Sequence, residues 1–130
     1  MKKRLLPGIN IQHPISRLIL SGEKTVETRT YPVPSKYIGR PIALIETPGP
    51  SGDFSARVIA LVEFGQSFEY QTEREFYADT KRHRVDKSSP WRWATGKPKF
   101  GWPVRVIERI NPPVAPPKKR GIVFSTECRV

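Results

Sequence analysis

A change of hydrophobic spacing early in the chain limits most strongly what the sequence can fold into. Ile15, Leu18 and Ile19 recur at helical spacing, whereas the run 25–30 is rich in β-branched residues and alternates as strands do. Gly22 lies between these two runs, where the C-terminal cap of a helix favours a residue that can adopt a positive φ. The stretch therefore predicts a helix, a tight turn and a strand in direct succession.

Charged residues occupy this turn and strand. Glu23 and Lys24 lie in the turn, and Glu27 and Arg29 are two positions apart in the strand. Because side chains alternate across a strand, Glu27 and Arg29 share one face, with Val26 and Thr28 on the other. An ammonium, a carboxylate and a guanidinium are thereby brought together. A surface turn followed by a solvated edge strand fits the spacing equally well.

The pattern Gly22-x-Lys24-x-x-Glu27-x-Arg29 resembles the G-x-K-x-x-E-x-R signature of the ASCH family, the activating-signal-cointegrator homology domains. The amphipathic helix before it and the β-rich remainder extend the resemblance over nearly the whole chain. The resemblance implies a single ASCH domain over residues 1–130, of α+β, mainly β class: a small PUA-like β-barrel with two or three peripheral helices. It further implies a cleft lined by the four motif residues, with RNA as the expected class of partner.

An excess of basic residues supports a polyanionic partner. The 130 residues include 23 Lys and Arg against 12 Asp and Glu, a net charge of +11. Contacts from such residues to phosphates release counterions and weaken with salt. The chain lacks a basic amphipathic helix with a bulky apolar face and any apolar stretch of membrane-spanning or secretory length, so nucleic acid is favoured over a membrane.

The lone Cys128 excludes an internal disulfide, fits a cytoplasmic location, and is expected at the surface or at an edge.

Hydrophobic patterning predicts the remaining elements of one domain. Thr72 followed by Glu75 forms a capping-box pattern that opens a helix, and the proline-rich run 111–117 is expected to form an extended strap. Strands are expected over the later part of 5–12 and over 41–47, 54–64, 103–110 and 121–126, and a second helix over 71–84.

A loop that interleaves tryptophans with cations is the second unusual stretch. Trp91 and Trp93 flank Arg92, Lys97 and Lys99 follow them, and Trp102 comes after Phe100-Gly101 at the start of a strand. Proteins that bind single-stranded nucleic acid stack aromatic rings on bases while cations follow the phosphates. We expect Trp102 in the core and at least one of the other two indoles to be exposed for stacking.

Binding of RNA, of another single-stranded nucleic acid, or of a nucleoside or nucleotide needs only a basic field, an aromatic loop and a polar cleft. For His13, a role as a helix-capping or loop residue is a simpler explanation than ligand binding. The basic run 81–84 could bind phosphate, and it also suits the C-terminus of a helix. The candidate binding residues are Lys24, Arg29, Gln12, His13, Tyr31, Arg84, Trp91, Arg92, Trp93 and Lys97.

Hydrolysis of RNA or of a modified nucleoside is the alternative, and the sequence leaves open whether the protein is an enzyme. Some small ASCH proteins remove an acyl group from the exocyclic amine of cytidine with the motif lysine, a threonine and a later glutamate. Lys24 matches that lysine, but Glu27 stands at the threonine position, and the later glutamate falls near Glu73 or Glu75. The resemblance also admits a metal-independent ribonuclease.

If the protein is a ribonuclease, Lys24 would stabilise the charge of the phosphorane, and Tyr31, Tyr77 or His13 would move a proton. Over both hydrolytic hypotheses, the candidate catalytic residues are Lys24, Glu27 and Tyr77. Because no cluster of carboxylates or histidines shows metal-ligand spacing, no metal and no cofactor are expected.

Overall fold

One curled sheet organises the part of the chain that the computed structural model describes, residues 4–50, 53–118, 120–121 and 123–130. Its seven strands within those residues are β1 Leu5–Gln12, β2 Val26–Arg29, β3 Ile42–Thr47, β4 Arg57–Phe64, β5 Phe68–Glu69, β6 Phe100–Val114 and β7 Phe124–Arg129. The helices are α1 Ile15–Ser21, α2 Glu73–Ala78 and α3 Thr80–His83, with a short 3₁₀ helix at Ser35–Tyr37. The predicted mainly β architecture with peripheral helices is confirmed.

The strand order is β2-β6-β4-β3-β1-β7, with β5 paired to the start of β6. β1 and β3 are parallel, and every other pair is antiparallel. The 15-residue β6 pairs with β2 and β5 through its first residues and with β4 through the remainder. Since a parallel pair needs a long crossover, the segment between β1 and β3 has room for α1 and β2.

The turn between α1 and β2 forms as the sequence predicts. Gly22 adopts φ +83°, and its N–H donates to the carbonyl of Ile19, which ends the helix. A Cβ added at Gly22 would meet no atom within 4 Å. The requirement for glycine at this motif position is therefore conformational and does not arise from crowding.

Trp102 belongs to the largest core cluster of the described residues. Its side chain is fully buried, meets Phe64 edge to face at 5.5 Å between ring centroids, and donates its indole N–H to the carbonyl of Tyr31 at 2.8 Å. The indole is therefore both packed and hydrogen-bonded, as a buried tryptophan requires. The prediction that Trp102 is a core residue is confirmed.

The single helix predicted over 71–84 is wrong, because two short helices meet at Asp79. Thr72 caps α2 as expected, accepting a hydrogen bond from the N–H of Glu75. The carboxylate of Asp79 accepts hydrogen bonds from the Tyr70 hydroxyl and the Arg82 guanidinium. The contacts with Tyr70 and Arg82 thus hold Asp79, the residue at which the two helices join.

Cys128 is buried, so its expected surface position is wrong. It packs with four apolar side chains of β3 and β4, and a Cβ on Gly8 would come within 2.5 Å of its sulfur. Burial raises the pKa of the Cys128 thiol, which lowers its reactivity at neutral pH. The cysteine nevertheless belongs to β7, the last strand of the sheet order.

The C-terminal part departs from prediction in two further places. The proline-rich segment begins as sheet, because β6 continues to Val114, which pairs with Val58. The last strand starts and ends later than predicted, and Ile122 within the predicted range lies outside the described residues. Among the helices that the structure describes, none has the length and apolar character needed to span a membrane.

Candidate functional site

A cavity of about 300 Å³ opens where β1, β2 and the end of β3 meet the loop that follows α3. We call it the motif pocket, because Lys24, Glu27 and Arg29 all border it, while Gly22 shapes the turn before them. Its full lining is Asn10, Ile11, Gln12, Ile15, Lys24, Glu27, Thr28, Arg29, Thr47, Val85 and Trp91.

One carboxylate bridges the two cations of the motif pocket. Glu27 Oε1 lies 3.5 Å from the ammonium of Lys24, and Glu27 Oε2 accepts a hydrogen bond from Arg29 at 3.0 Å. Lys24 is 3% exposed and Glu27 7% exposed. A solvated edge strand, the alternative interpretation of the sequence, does not describe these side chains. The charged groups of the lining sum to one positive charge.

Lys24 is further fixed by the segment that ends α3. Its ammonium donates to the main-chain carbonyl of His83. Burial lowers the pKa of Lys24, and nearby Arg29 lowers it as well, while Glu27 acts in the opposite direction. The ammonium is therefore easier to deprotonate than that of a surface lysine.

His83 is a buried structural residue. Its ring stacks on Phe76 with centroids 4.1 Å apart. Nδ1 accepts the N–H of Val85 at 2.9 Å, so Nε2 carries the proton and donates to the carbonyl of Phe76 at 2.7 Å. Burial lowers the pKa of His83. The neutral ring thus orders the backbone that holds Lys24.

Trp91 supplies an aromatic wall. Its side chain is 51% exposed and borders the motif pocket, as expected for at least one indole of the loop. Trp93 instead packs against Phe76 at 5.8 Å between centroids, and its main-chain N–H donates to the Tyr77 hydroxyl at 3.2 Å. The two indoles therefore differ: one faces the cavity, and the other anchors the loop to α2.

Tyr31 and Tyr77 lie outside the lining. Tyr31 is exposed and packs edge to face on Trp102 at 5.5 Å. The hydroxyl of Tyr77 is engaged by the loop at Trp93. Neither phenol borders the motif pocket.

The expected basic residues of the 84–97 segment form an exposed rim beyond the lining. Arg84 donates to the carbonyl of Glu23 at 3.0 Å, next to the motif lysine. Arg92 donates to the carbonyl of Ser89 at 3.2 Å, and Lys97 is exposed. Arg84 and Arg92 are the sequence neighbours of Val85 and Trp91 respectively, both of which border the pocket.

Gln12 borders the pocket, whereas His13 turns to the buried Glu46. His13 Nδ1 lies 3.3 Å from Glu46 Oε2 and outside the pocket lining. Ser16 and Arg17 of α1 and Arg57 of β4 also donate to this carboxylate, at 2.7 to 3.0 Å. Burial raises the pKa of Glu46, but the hydrogen bonds outweigh it and lower the pKa to about 2.

The hydrogen bonds to Glu46 could not be predicted from the sequence, because Glu46 follows an apolar run that indicates only a buried strand. Asn10, Thr28, Thr47 and Val85 are pocket residues that sequence reasoning also missed. Thr28 was expected on the face opposite Glu27, yet both border the cavity. β2 is the first strand of the sheet order, so no strand of the described residues covers one of its edges, and three consecutive residues, Glu27 to Arg29, border the cavity.

A metal is not supported by the donor set. Across the described part of the chain, no three His, Cys, Asp or Glu side chains are grouped so that they could hold an ion. The pocket lining offers a single carboxylate, and two cations already engage it.

No family model matches the sequence, and neither does any curated protein. The fold is similar to the crystal structure of a serine-to-alanine variant of ZmASCH from Zymomonas mobilis. The TM-score is 0.65 at 16% identity, and the match covers 97% of this chain and 90% of that chain. Agreement over almost the full length of both chains, despite low identity, shows a common architecture. The chain therefore has the fold of an ASCH domain, as the motif around Lys24 led us to expect.

Proposed function

We propose that the protein binds single-stranded RNA and holds one nucleotide in the motif pocket. The observation that carries this proposal is that one cavity is bordered both by a cation–carboxylate–cation group, in which Lys24 and Glu27 are buried, and by an exposed indole. A volume of about 300 Å³ is at the lower end of small-molecule sites, which span roughly 300–1,000 Å³. Such a cavity suits a single unstacked base.

The pocket can recognise both parts of a nucleotide. Trp91 offers a face on which a base can stack, and Glu27 can accept a hydrogen bond from an exocyclic amino group. Arg29 donates one hydrogen bond to Glu27 and is held over the Trp102 ring at 5.6 Å. Its remaining N–H groups can donate to a base edge or a phosphate.

The rim extends the contact beyond one nucleotide. Arg84, Arg92 and Lys97 are exposed on the segment that also carries Trp91. Their charges, within a molecule of net charge +11, favour a strand whose phosphates run along this segment. Single-stranded RNA fits better than duplex, because a base must leave its stack to enter the pocket.

A labelled single-stranded oligonucleotide titrated over a salt series tests the proposal. We expect the logarithm of the binding constant to fall linearly with the logarithm of salt concentration. Arg29→Met should weaken binding roughly tenfold, since one base or phosphate contact is worth about 1–3 kcal/mol. Arg105→Met is the matched control, because Arg105 is exposed and pairs with Glu63 outside the pocket. Binding that ignores salt, or equal losses in both variants, would refute the proposal.

Hydrolysis in the same pocket is the second candidate, and the lowered pKa of Lys24 favours it. A lysine that deprotonates more readily can serve as a general base, and in its charged form it can stabilise a phosphorane. The pocket holds Lys24 and Glu27 as proton-transfer groups. Glu73 and Glu75 are exposed on α2 and outside the lining, so the acylated-cytidine reaction lacks its later glutamate there.

Incubation with RNA and, separately, with acylated cytidine in the presence of a chelator tests hydrolysis. Product should form with the native protein and be lost in Lys24→Met. Tyr77→Phe should retain activity, because the Tyr77 hydroxyl lies outside the pocket lining and serves the Trp93 backbone. If neither substrate is consumed, hydrolysis is ruled out and the binding function stands.

A further inference from the structure

A second buried lysine lies next to the motif pocket and serves none of the roles proposed so far. Lys99 is 9% exposed and immediately precedes β6. Its ammonium lies over the Phe76 ring at 5.5 Å. None of the ion pairs among the described residues includes Lys99. A buried charge without a counterion destabilises a fold, so we looked for what this ammonium holds in place.

The hydrogen-bond partner of Lys99 is Trp91. The ammonium donates to the main-chain carbonyl of Trp91 at 2.9 Å. The N–H of Trp91 in turn donates to the Ser89 hydroxyl at 3.0 Å. Both main-chain groups of the residue that walls the pocket are therefore fixed, one of them by a charge-assisted bond.

The rest of the loop gives Trp91 little other support. Residues 86–98 contain no helix or strand, and most of their hydrogen bonds join residues within the loop. The main-chain N–H of Trp93, which donates to the Tyr77 hydroxyl of α2, is the second anchor. Trp91 itself is half exposed, so packing alone does not fix its indole.

We propose that Lys99 is a positioning residue: its buried ammonium holds Trp91 in place as the stacking wall of the motif pocket. The inference rests on the proposed function for its ligand and on the Lys99–Trp91 contact for its geometry. Because Lys99 is buried, it raises affinity through Trp91 without touching a phosphate.

Salt dependence separates this role from an ordinary electrostatic one. Lys99→Met and Lys97→Met each remove one positive charge from the same segment, but Lys97 is exposed. In oligonucleotide titrations, Lys99→Met should weaken binding roughly fivefold to tenfold at every salt concentration, in line with the loss of one stacked base, and leave the salt slope unchanged. Lys97→Met should lower the slope. A reduced slope in Lys99→Met would overturn the proposal.

A double-mutant cycle tests whether Lys99 acts through Trp91. In a Trp91→Ala background, Lys99→Met should cause no further loss of affinity, because the positioned indole is already gone. Lys99→Arg, which keeps a charged donor, should restore most of the binding lost in Lys99→Met. Equal losses with and without Trp91 would show a purely structural role and refute the inference.

A measurement without ligand tests whether Lys99 positions Trp91, separately from the proposed function. Incorporation of 5-fluorotryptophan gives one ¹⁹F signal for each of the three tryptophans, assignable by single Trp→Phe changes. Lys99→Met should shift or broaden the Trp91 signal and leave that of the buried Trp102 unchanged, which also reports an intact fold. An unchanged Trp91 signal would overturn the inference. Failure of the native protein to bind RNA would overturn the proposed function alone.

Discussion

Glu27 sets the electrostatics of the motif pocket from a single position. Its two oxygens contact Lys24 on one side and Arg29 on the other. Without this carboxylate, two cations would face each other across a site that is largely shielded from water, where their repulsion is only weakly screened. The residue thus makes it possible for Lys24 to be both buried and charged.

Glu27→Gln should lower the pKa of Lys24 further. Burial already lowers it, and Glu27 is the group that raises it through both its charge and its hydrogen bond. Removing the carboxylate leaves burial and Arg29 to act together, so the ammonium should lose its proton at a lower pH. NMR titration of the Lys24 side chain measures this shift.

The control for that titration is Glu63→Gln, which removes a surface carboxylate paired with Arg105. It should leave the Lys24 titration unchanged. An unchanged or higher pKa of Lys24 in Glu27→Gln would show that Glu27 does not hold the proton on the ammonium.

The joint between α1 and β2 is the element that presents the motif. Gly22 ends α1 in the left-handed region, and the N–H of Lys24 donates to the carbonyl of Leu18 at 2.9 Å. The chain therefore reverses within a few residues, and Lys24 enters the pocket from the end of α1. β2 then pairs with β6 in a register that places Glu27 opposite Trp102.

Gly22→Ala should lower the free energy of unfolding by about 1 kcal/mol, because alanine is strained at φ +83° even where space is open. Urea unfolding measures the change. Gly65→Ala is the matched control, since its added Cβ would make only ordinary contacts with Pro103. Equal stability of Gly22→Ala and the native protein would show that the motif glycine has another role.

At the scale of the whole molecule, Glu46 joins three elements that are distant in sequence. The carboxylate on β3 accepts hydrogen bonds from Ser16 and Arg17 of α1 and from Arg57 of β4. Thr47, the next residue, borders the motif pocket. The network therefore connects the stability of the barrel to the placement of the pocket wall.

Acid should destabilise the protein through Glu46. Its pKa is about 2 in the folded state against an ordinary 4.5. A carboxylate whose pKa is lowered by folding stabilises the folded state at pH values above its ordinary pKa. That stability is lost as the pH falls through the pKa of the folded state. The loss should run from about pH 4.5 to about 2 and amount to something on the order of 3 kcal/mol. Urea unfolding at a series of pH values measures it.

Glu46→Gln should lack this acid-dependent contribution. Its stability deficit relative to the native protein should be largest above pH 4.5 and shrink towards low pH. Glu63→Gln, at an exposed pair, should differ little from the native protein throughout. A deficit in Glu46→Gln that stays constant down to low pH would contradict the assignment.

The sequence by itself determined the features that depend on neighbouring residues. Spacing predicted α1, its glycine cap and β2, because backbone preference and side-chain alternation act over a few residues. The same local rules placed Lys24, Glu27 and Arg29 together and assigned Trp102 to the core. The ASCH fold was indicated separately, by the resemblance of the pattern from Gly22 to Arg29 to a known family signature.

Only the tertiary structure decided how those residues are surrounded. The contact of Lys24 with His83 spans 59 positions, and that of Arg17 with Glu46 spans 29. Burial of Cys128 and of Lys99 likewise follows from strands and loops that meet far from their own neighbours. Desolvation and hydrogen bonding act through space, so a pattern along the chain reveals which groups are present but not which of them lose contact with water.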